Sequence, residues 1–251
     1  MDCYSTSEFT VKCTECGLDS KMFLNVIMGD MQEAAEKGSA GYGFGTRFLA
    51  ENGICWIILR VKAHFDYYPV WGDKFSVKTW GSGFRKIVFS REFEYFDSEG
   101  KRFGYITTDW ILADWNSHKP VIPSKKDFLP EIKIQDDRRV FPDGTIKIEV
   151  PDLQTLGSSE PVICKYADFS ELDRNRHVNN TRYVSWACDA LHKSGLDVFA
   201  IRDLDINYIN EVKEGEKVSI FVQEGSLPQT YLVAGYREDG KALFSVIASL
   251  K

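Results

Sequence analysis

The chain has 251 residues, of which 43% are hydrophobic and 14% aromatic, so it can bury a core as one large domain or as two smaller packed units. Its formal net charge of −6 at pH 7 argues against a generally nucleic-acid-binding surface. Six cysteines are too few for a disulfide scaffold in a chain of this length. No segment approaches the roughly 18 uninterrupted apolar residues of a membrane helix. We therefore expect a cytoplasmic protein in a reducing setting, without membrane insertion.

The first half of the chain is predicted to open with a strand and a long helix. The strand is expected at 9–13, and Cys13 and Cys16 are interpreted as residues of an ordinary strand end, because no second pair follows at zinc-finger spacing. Apolar residues at helical spacing predict a helix over 23–38. The glycine-rich run 38–45 follows a helix and lacks the spacing of a nucleotide loop, so we interpret it as a flexible connection.

Strands rich in β-branched and aromatic residues are predicted next. Glycine- and proline-containing turn signals, including the run 81–83, separate them. The four predicted strands lie at 54–68, 74–80, 86–96 and 102–115. Over 116–161 the pattern breaks, and prolines with mixed charges indicate an irregular connector on the surface.

The second half repeats the order of the first. Gly-Asp-Lys-Phe-Ser-Val at 72–77 corresponds to Gly-Glu-Lys-Val-Ser-Ile at 215–220, and Phe-Asp-Ser-Glu-Gly-Lys at 96–101 corresponds to Tyr-Arg-Glu-Asp-Gly-Lys at 236–241. A helix followed by several antiparallel strands, found twice, indicates one duplicated unit. The predicted organisation is an N-terminal unit, a connector and a C-terminal unit, at 1–118, 119–161 and 162–251.

The most informative residues lie just before the second predicted helix. Asp173, Asn175 and His177 alternate, so an extended segment would present a carboxylate, an amide and an imidazole on one face. Asn179 and Asn180 are good helix caps, and the helix N-terminus can stabilise an anion or a developing oxyanion. Aspartate and asparagine are also common in loops, so the residues alone leave an ordinary loop open. The apolar stripe of the helix comprises Tyr183, Trp186, Ala187, Ala190 and Leu191.

The sequence Leu-Asp-Arg-Asn-Arg-His-Val-Asn-Asn at 172–180, with Tyr183 and Trp186 after it, resembles the signature of acyl-acyl-carrier-protein thioesterases. Plant members typically carry Gln at the position of Arg176. The resemblance implies an α+β fold of two tandem hot-dog units, each a long helix wrapped by an antiparallel sheet. It also implies hydrolysis of fatty acyl thioesters of acyl carrier protein, without a metal or another cofactor.

The resemblance further implies a catalytic set of Asp173, Asn175, His177 and Glu211. Taken alone, Glu211 reads as part of a charged turn. Many plant members have a Cys after this acidic residue, whereas this chain has Val212, which cannot act as a nucleophile. Water would be activated by Glu211, or else by His177. Asn175 would hold the water or the thioester oxygen, while Asp173 would orient the site and fix a histidine tautomer.

Substrate binding is expected on both sides of this set. Backbone N–H groups of Val178, Asn179 and Asn180 would stabilise the oxyanion. The first unit would hold the acyl chain, and the candidates for setting chain length are Phe23, Phe44 and Trp56. Acyl carrier proteins are acidic, so a net-negative chain must dock them through a local basic patch. The candidate cations are Arg174, Arg176, Arg182, Lys125, Lys126, Arg138 and Arg139.

Three alternatives stay open on the sequence. An acyl-coenzyme-A thioesterase would use the same chemistry, and a hot-dog dehydratase acting on acyl-carrier thioesters would need no water-holding asparagine. A non-enzymatic acyl-binding module would carry a polar cluster that burdens an apolar site. Gly-x-Ser-x-Gly and His-Glu-x-x-His do not occur in the sequence, and Cys164 and Cys188 remain candidate nucleophiles. A homodimer is also left open.

Overall fold

The computed structural model describes residues 4–122, 138–153 and 160–251, which divide into two compact units. The first unit takes its described residues from Met1–Met22 and Val26–Thr145, and the second from Phe23–Asn25 and Ile146–Lys251. Among the described residues, no helix is both long enough and apolar enough to cross a membrane.

The first unit contains one long helix and five antiparallel strands. The elements are β1 Ser5–Thr10, α1 Leu24–Gly41, α2 Thr46–Glu51, β2 Ile54–Phe65, β3 Lys74–Arg85, β4 Val88–Asp97 and β5 Arg102–Asp114. The strands lie side by side in the order β1-β3-β4-β5-β2. The long helix α1 packs on one face of this sheet, where the hydroxyl of Tyr95 in β4 donates to the carbonyl of Ile27.

The second unit has the same plan. Its elements are β6 Ile163–Tyr166, α3 Asn180–Lys193, β7 Ile201–Tyr208, β8 Lys217–Glu224, β9 Thr230–Arg237 and β10 Ala242–Leu250. The strands follow the order β6-β8-β9-β10-β7, which is the order of the first unit with each strand replaced by its counterpart. The predicted repeat of a helix followed by antiparallel strands is therefore confirmed.

The start of the chain differs from the prediction. The opening strand ends at Thr10, and Cys13–Glu15 forms a 3₁₀ turn. The carboxylate of Glu15 accepts a hydrogen bond from the backbone N–H of Lys12 at 2.8 Å, which closes this turn. The interpretation of Cys13 and Cys16 as a strand end is therefore wrong, because a local side-chain bond overrides the strand pattern.

Two glycine-containing runs also differ from the prediction. The first helix continues past Gly38 to Gly41, and the short helix α2 follows at Thr46. Glu36 of α1 ties the two helices together, since its carboxylate accepts from both the N–H and the hydroxyl of Thr46. The run 81–83, predicted as a turn, lies inside β3, where the strand pairing shifts register. A glycine in a strand can mark such a bulge instead of a chain reversal.

A buried glycine supports the packing of α3. Gly235 in β9 lies opposite Phe244 in β10, and a Cβ built at Gly235 would lie 2.1 Å from a ring carbon of Phe244. The Phe244 ring packs edge-on against Tyr183 of α3, with centroids 5.3 Å apart. The glycine therefore lets the sheet approach the helix that carries the predicted site.

We predict that Gly235→Ala lowers the free energy of unfolding by about 1–3 kcal/mol, because the added methyl overpacks the core beneath Phe244. Gly29→Ala in α1 is the matched control, since a Cβ there meets nothing within 4 Å. It should stabilise the protein by roughly 0.5–1 kcal/mol. Urea unfolding of both variants measures the difference, and equal stabilities would contradict the prediction.

Candidate active site

The residues before α3 form a tight hairpin. The N–H of Arg176 donates to the carbonyl of Asp173 at 3.0 Å, and the N–H of Asp173 donates to the carbonyl of His177 at 2.8 Å. Arg176 has a φ of 62°, in the left-handed region, as is common for the third residue of a short hairpin loop. Leu172 and Val178 pair on either side. The expectation of an extended segment is therefore wrong, because the chain reverses within these residues.

Asp173 organises the inside of this hairpin. One carboxylate oxygen accepts from the N–H of Asn175 at 2.7 Å and from the N–H of His177 at 3.4 Å. The other accepts from the side-chain amide of Asn175 at 3.4 Å. The amide carbonyl oxygen Oδ1 of Asn175 is buried and accepts no hydrogen bond from the described residues. Asp173 thus fixes the amide and leaves an acceptor for a donor from outside the protein.

The start of α3 is capped as predicted, but its nearby N–H groups are engaged. The side chain of Asn179 accepts from the N–H of Thr181 at 2.9 Å. The N–H of Val178 donates to the carbonyl of Val212 at 2.8 Å, and the N–H of Asn179 donates to that of Glu171 at 2.9 Å. Neither can serve an oxyanion without breaking these bonds. The predicted oxyanion role of Val178 and Asn179 stays a prediction, and it requires that both N–H groups leave these carbonyl partners.

The five apolar residues predicted for α3 are all buried, and two of them also make polar contacts that position the site. The indole N–H of Trp186 donates to Glu171 at 2.8 Å. The hydroxyl of Tyr183 accepts from the backbone N–H of Val212 at 3.2 Å. The same helix face therefore fills the core and holds the loops on either side of the hairpin.

Glu171 anchors the segment that leads into the hairpin. Its carboxylate accepts from the ammonium of Lys165, from the N–H of Asp168 at 3.0 Å and from Trp186. Burial by itself raises the pKa of Glu171, but these three hydrogen bonds outweigh it and leave the pKa below the ordinary value of 4.5. The ionised form is therefore favoured in the folded protein.

Glu211 lies in the loop between β7 and β8. Its Oε2 is 3.5 Å from Nε2 of His177, and the exposed fractions of the two side chains are 44% and 15%. Val212 is fully buried, so the neighbours point to opposite sides, as predicted. A guanidinium N–H of Arg237 donates to the main-chain carbonyl of Glu211 at 3.0 Å. The sequence did not single out Arg237, because no side-chain pattern marks a residue that contacts a backbone oxygen.

The predicted cations have different surroundings. Arg174 and Arg176 are exposed on the hairpin, and Arg182 is partly exposed in α3. In the first unit, Arg138 pairs with Glu94 at 3.3 Å and lies over the rings of aromatic residues. Its neighbour Arg139 lies against a glycine of β3. The remaining candidates, Lys125 and Lys126, lie outside the described residues.

The two candidate cysteine nucleophiles also differ. Burial raises the pKa of the Cys188 thiol to about 12, which disfavours the reactive thiolate. Cys164 is exposed on β6, with its sulfur 3.7 Å from the hydroxyl of Ser219. Neither the burial of Cys188 nor the position of Cys164 suggests an activated nucleophile.

The first unit contains a counterpart of the hairpin with different side chains. The N–H of Gly17 donates to the carbonyl of Lys21 and the N–H of Ser20 to that of Gly17, and Ser20 has a φ of 58°. The N–H of Met22 then donates to Pro69, as Val178 does to Val212. The positions equivalent to Asp173, Asn175 and His177 are held by Gly17, Asp19 and Lys21.

The anchoring of Glu171 predicts a pH dependence of stability. A carboxyl group whose pKa is lower in the folded than in the unfolded protein stabilises the fold at pH values above its unfolded pKa. This contribution is lost as the pH falls through the folded pKa. Wild type should exceed Glu171→Gln in unfolding free energy at pH 7, and the gap should close below about pH 4.5. Urea unfolding across this range measures the gap. A gap that stays constant with pH would contradict the prediction.

Two family models match the chain. The model of the acyl-ACP thioesterase N-terminal domain matches residues 3–130, and the model of the acyl-ACP thioesterase C-terminal domain matches residues 159–248. A chloroplastic palmitoyl-acyl carrier protein thioesterase of Gossypium hirsutum is 26% identical over 219 residues, which cover 82% of this chain and 51% of that protein. The chain thus spans about half the length of this curated relative.

Two solved structures share the fold. An acyl-ACP thioesterase from Bacteroides thetaiotaomicron superposes with a TM-score of 0.85 at 22% identity, covering 99% of this chain and 98% of the other. A 12:0-ACP thioesterase from Umbellularia californica gives a TM-score of 0.77 at 18% identity, covering 100% and 98%. The expected hot-dog fold is confirmed. With both domain models matched in order, the chain belongs to the acyl-ACP thioesterase family.

Proposed function

We propose that this chain hydrolyses the thioester bond of fatty acyl-acyl carrier protein, releasing a free fatty acid and the carrier thiol. Besides family membership, the observation that supports this reaction is the pairing of Glu211 with His177 at 3.5 Å. His177 lies in the same hairpin as Asn175. Thioester hydrolysis needs a base and a place for water. Glu211 offers the first and the buried Oδ1 of Asn175 the second.

In the proposed reaction, Glu211 takes a proton from a water molecule that donates its other proton to Oδ1 of Asn175. The water oxygen bonds to the acyl carbon, the tetrahedral intermediate breaks its C–S bond, and the proton goes to the departing sulfur. His177 holds the carboxylate through Nε2 and is the second choice of base. General-base catalysis contributes about 10²- to 10⁴-fold.

The oxyanion needs a revised assignment, because Val178 and Asn179 already donate to carbonyl groups. The N-terminus of α3, which begins at Asn180 shortly after the hairpin, carries partial positive charge. We assign the stabilisation of the oxyanion to this helix end.

The acyl chain is assigned to the first unit. Phe44 and Trp56 share one apolar cluster with residues of α2, β2, β4 and β5, and the Trp56 ring packs edge-on against Phe89 at 5.0 Å. In this assignment, the sizes of these apolar side chains set the length of the acyl chain that fits. Phe23 is a weaker candidate, since it is 39% exposed and stacks on Phe199.

The carrier protein is assigned to the hairpin. Arg174 and Arg176 are exposed beside Asp173, Asn175 and His177, so an acidic carrier bound there would bring its thioester to the site. Arg138 is a weaker candidate, because its guanidinium already pairs with a carboxylate and covers aromatic rings.

Replacing the base tests the mechanism. Glu211→Gln keeps the size and hydrogen-bonding reach of the side chain but removes the base, so kcat should fall about 10²-fold or more with little change in KM. Val212→Cys is the matched control and should stay within about 2-fold of wild type, because this side chain points into the core. Steady-state hydrolysis of acyl-carrier protein measures both. Near wild-type turnover of Glu211→Gln would defeat the assignment.

Reversing a charge on the hairpin tests the partner. Arg176→Glu should raise KM for acyl-carrier protein about 3- to 10-fold, equivalent to roughly 1 kcal/mol at a partly screened contact. Arg47→Glu, at an exposed cation of α2, is the control. The same acyl chain on coenzyme A and a neutral short-chain thioester are compared in parallel. An equal rise in KM for the neutral substrate would contradict docking through Arg176.

A further inference from the structure

Arg237, at the end of β9, holds the loop that carries Glu211. One guanidinium N–H donates to the Glu211 carbonyl at 3.0 Å, and another nitrogen lies 3.3 Å from the carboxylate of Glu216. Glu216 in turn accepts from the backbone N–H of Lys213 at 2.9 Å. The pair of Arg237 and Glu216 therefore fixes the loop at two points, on either side of Val212.

These contacts fix the position of the Glu211 backbone, from which its side chain extends. Glu211 is 44% exposed, so the position of its backbone helps to set where its carboxylate lies beside His177. Val212, the next residue, is held by Tyr183 and Val178, whereas Arg237 holds Glu211 directly. Reacting groups displaced by about 1 Å can lose about 10²-fold in rate, so this fastening matters for a base.

Stability alone does not explain the arrangement. The Nε–H of Arg237 is buried and has no hydrogen-bond partner among the described residues. A buried donor without a partner costs free energy. The side chain therefore keeps an unfavourable group in order to place its two terminal nitrogens on Glu211 and Glu216.

The first unit provides an internal comparison. Its residue equivalent to Arg237 is Asp97, which accepts from the hydroxyl of Tyr67 at 2.9 Å. The residue equivalent to Glu211 is Tyr68, because Pro69 accepts the backbone bond that corresponds to that of Val212. Asp97 and Tyr67 thus hold the loop of the first unit, whereas Arg237 occurs in the unit that carries Glu211.

We propose that Arg237 is a positioning residue for the hydrolysis. It holds the main chain of Glu211 so that the carboxylate stays within reach of His177 and of the attacking water. The inference rests on the proposed function, in which Glu211 is the base. A lysine could keep one of the two contacts but lacks the planar fork that makes both.

The test combines variants of Arg237 with Glu211→Gln. Arg237→Met should lower kcat about 10- to 30-fold, with KM within about 2-fold and little change in Tm. Arg237→Lys should recover part of the loss. In the Glu211→Gln background, Arg237→Met should cause no further loss, because no base is left to position. Lys241→Met, which removes an exposed cation paired with Asp239 on the same hairpin, is the control and should act like wild type.

Three results would overturn the inference: wild-type turnover of Arg237→Met, a rise in KM without a fall in kcat, or an equal loss in both backgrounds. If Arg237→Met does not fold, Arg237→Lys carries the same test, since its loss must also vanish in the Glu211→Gln background. An active Glu211→Gln enzyme would instead overturn the base assignment, and the inference with it. The Glu211→Gln variant alone therefore tests the base assignment, and the Arg237 variants alone test the positioning role.

Discussion

Two hydrogen bonds of the Val212 backbone hold the candidate site together. Its carbonyl accepts from the N–H of Val178 at the end of the hairpin, and its N–H donates to the hydroxyl of Tyr183 in α3. Burial raises the pKa of Tyr183, so this hydroxyl stays protonated. The loop of Glu211, the hairpin of His177 and the helix thus meet at one buried residue, and the 3.5 Å between the two catalytic candidates follows from that junction.

The duplication shows which parts of the site are structural. Both units build a hairpin with a left-handed residue, at Ser20 and Arg176, followed by a helix and a bond back to the loop between two strands. That backbone framework is therefore a property of the fold. The set of Asp173, Asn175 and His177 has no equivalent in the first hairpin, so the proposed chemistry depends on side chains placed on a framework that both units share.

The sequence predicted those features that follow local rules. The cap at Asn179 and the buried stripe of α3 depend on residue type and on spacing of 3.6, and both are confirmed. The hairpin at Asp173 was missed, because alternation also fits an extended strand and Arg176 adopts a positive φ without being glycine. Arg237 was missed for another reason: it lies 26 residues from Glu211, and its guanidinium contacts the backbone of Glu211 and the carboxylate of Glu216.

Direct attack by water is the central chemical claim, and a single turnover in ¹⁸O-labelled water tests it most directly. The enzyme in excess over acyl-carrier protein is quenched at successive times, and both the intact chain and the released acid are weighed by mass spectrometry. Attack by water activated at Glu211 predicts one ¹⁸O in the fatty acid and an unchanged mass of the chain at every time. A transient gain of one acyl group by the chain would contradict it and would make Cys164 the nucleophile to examine.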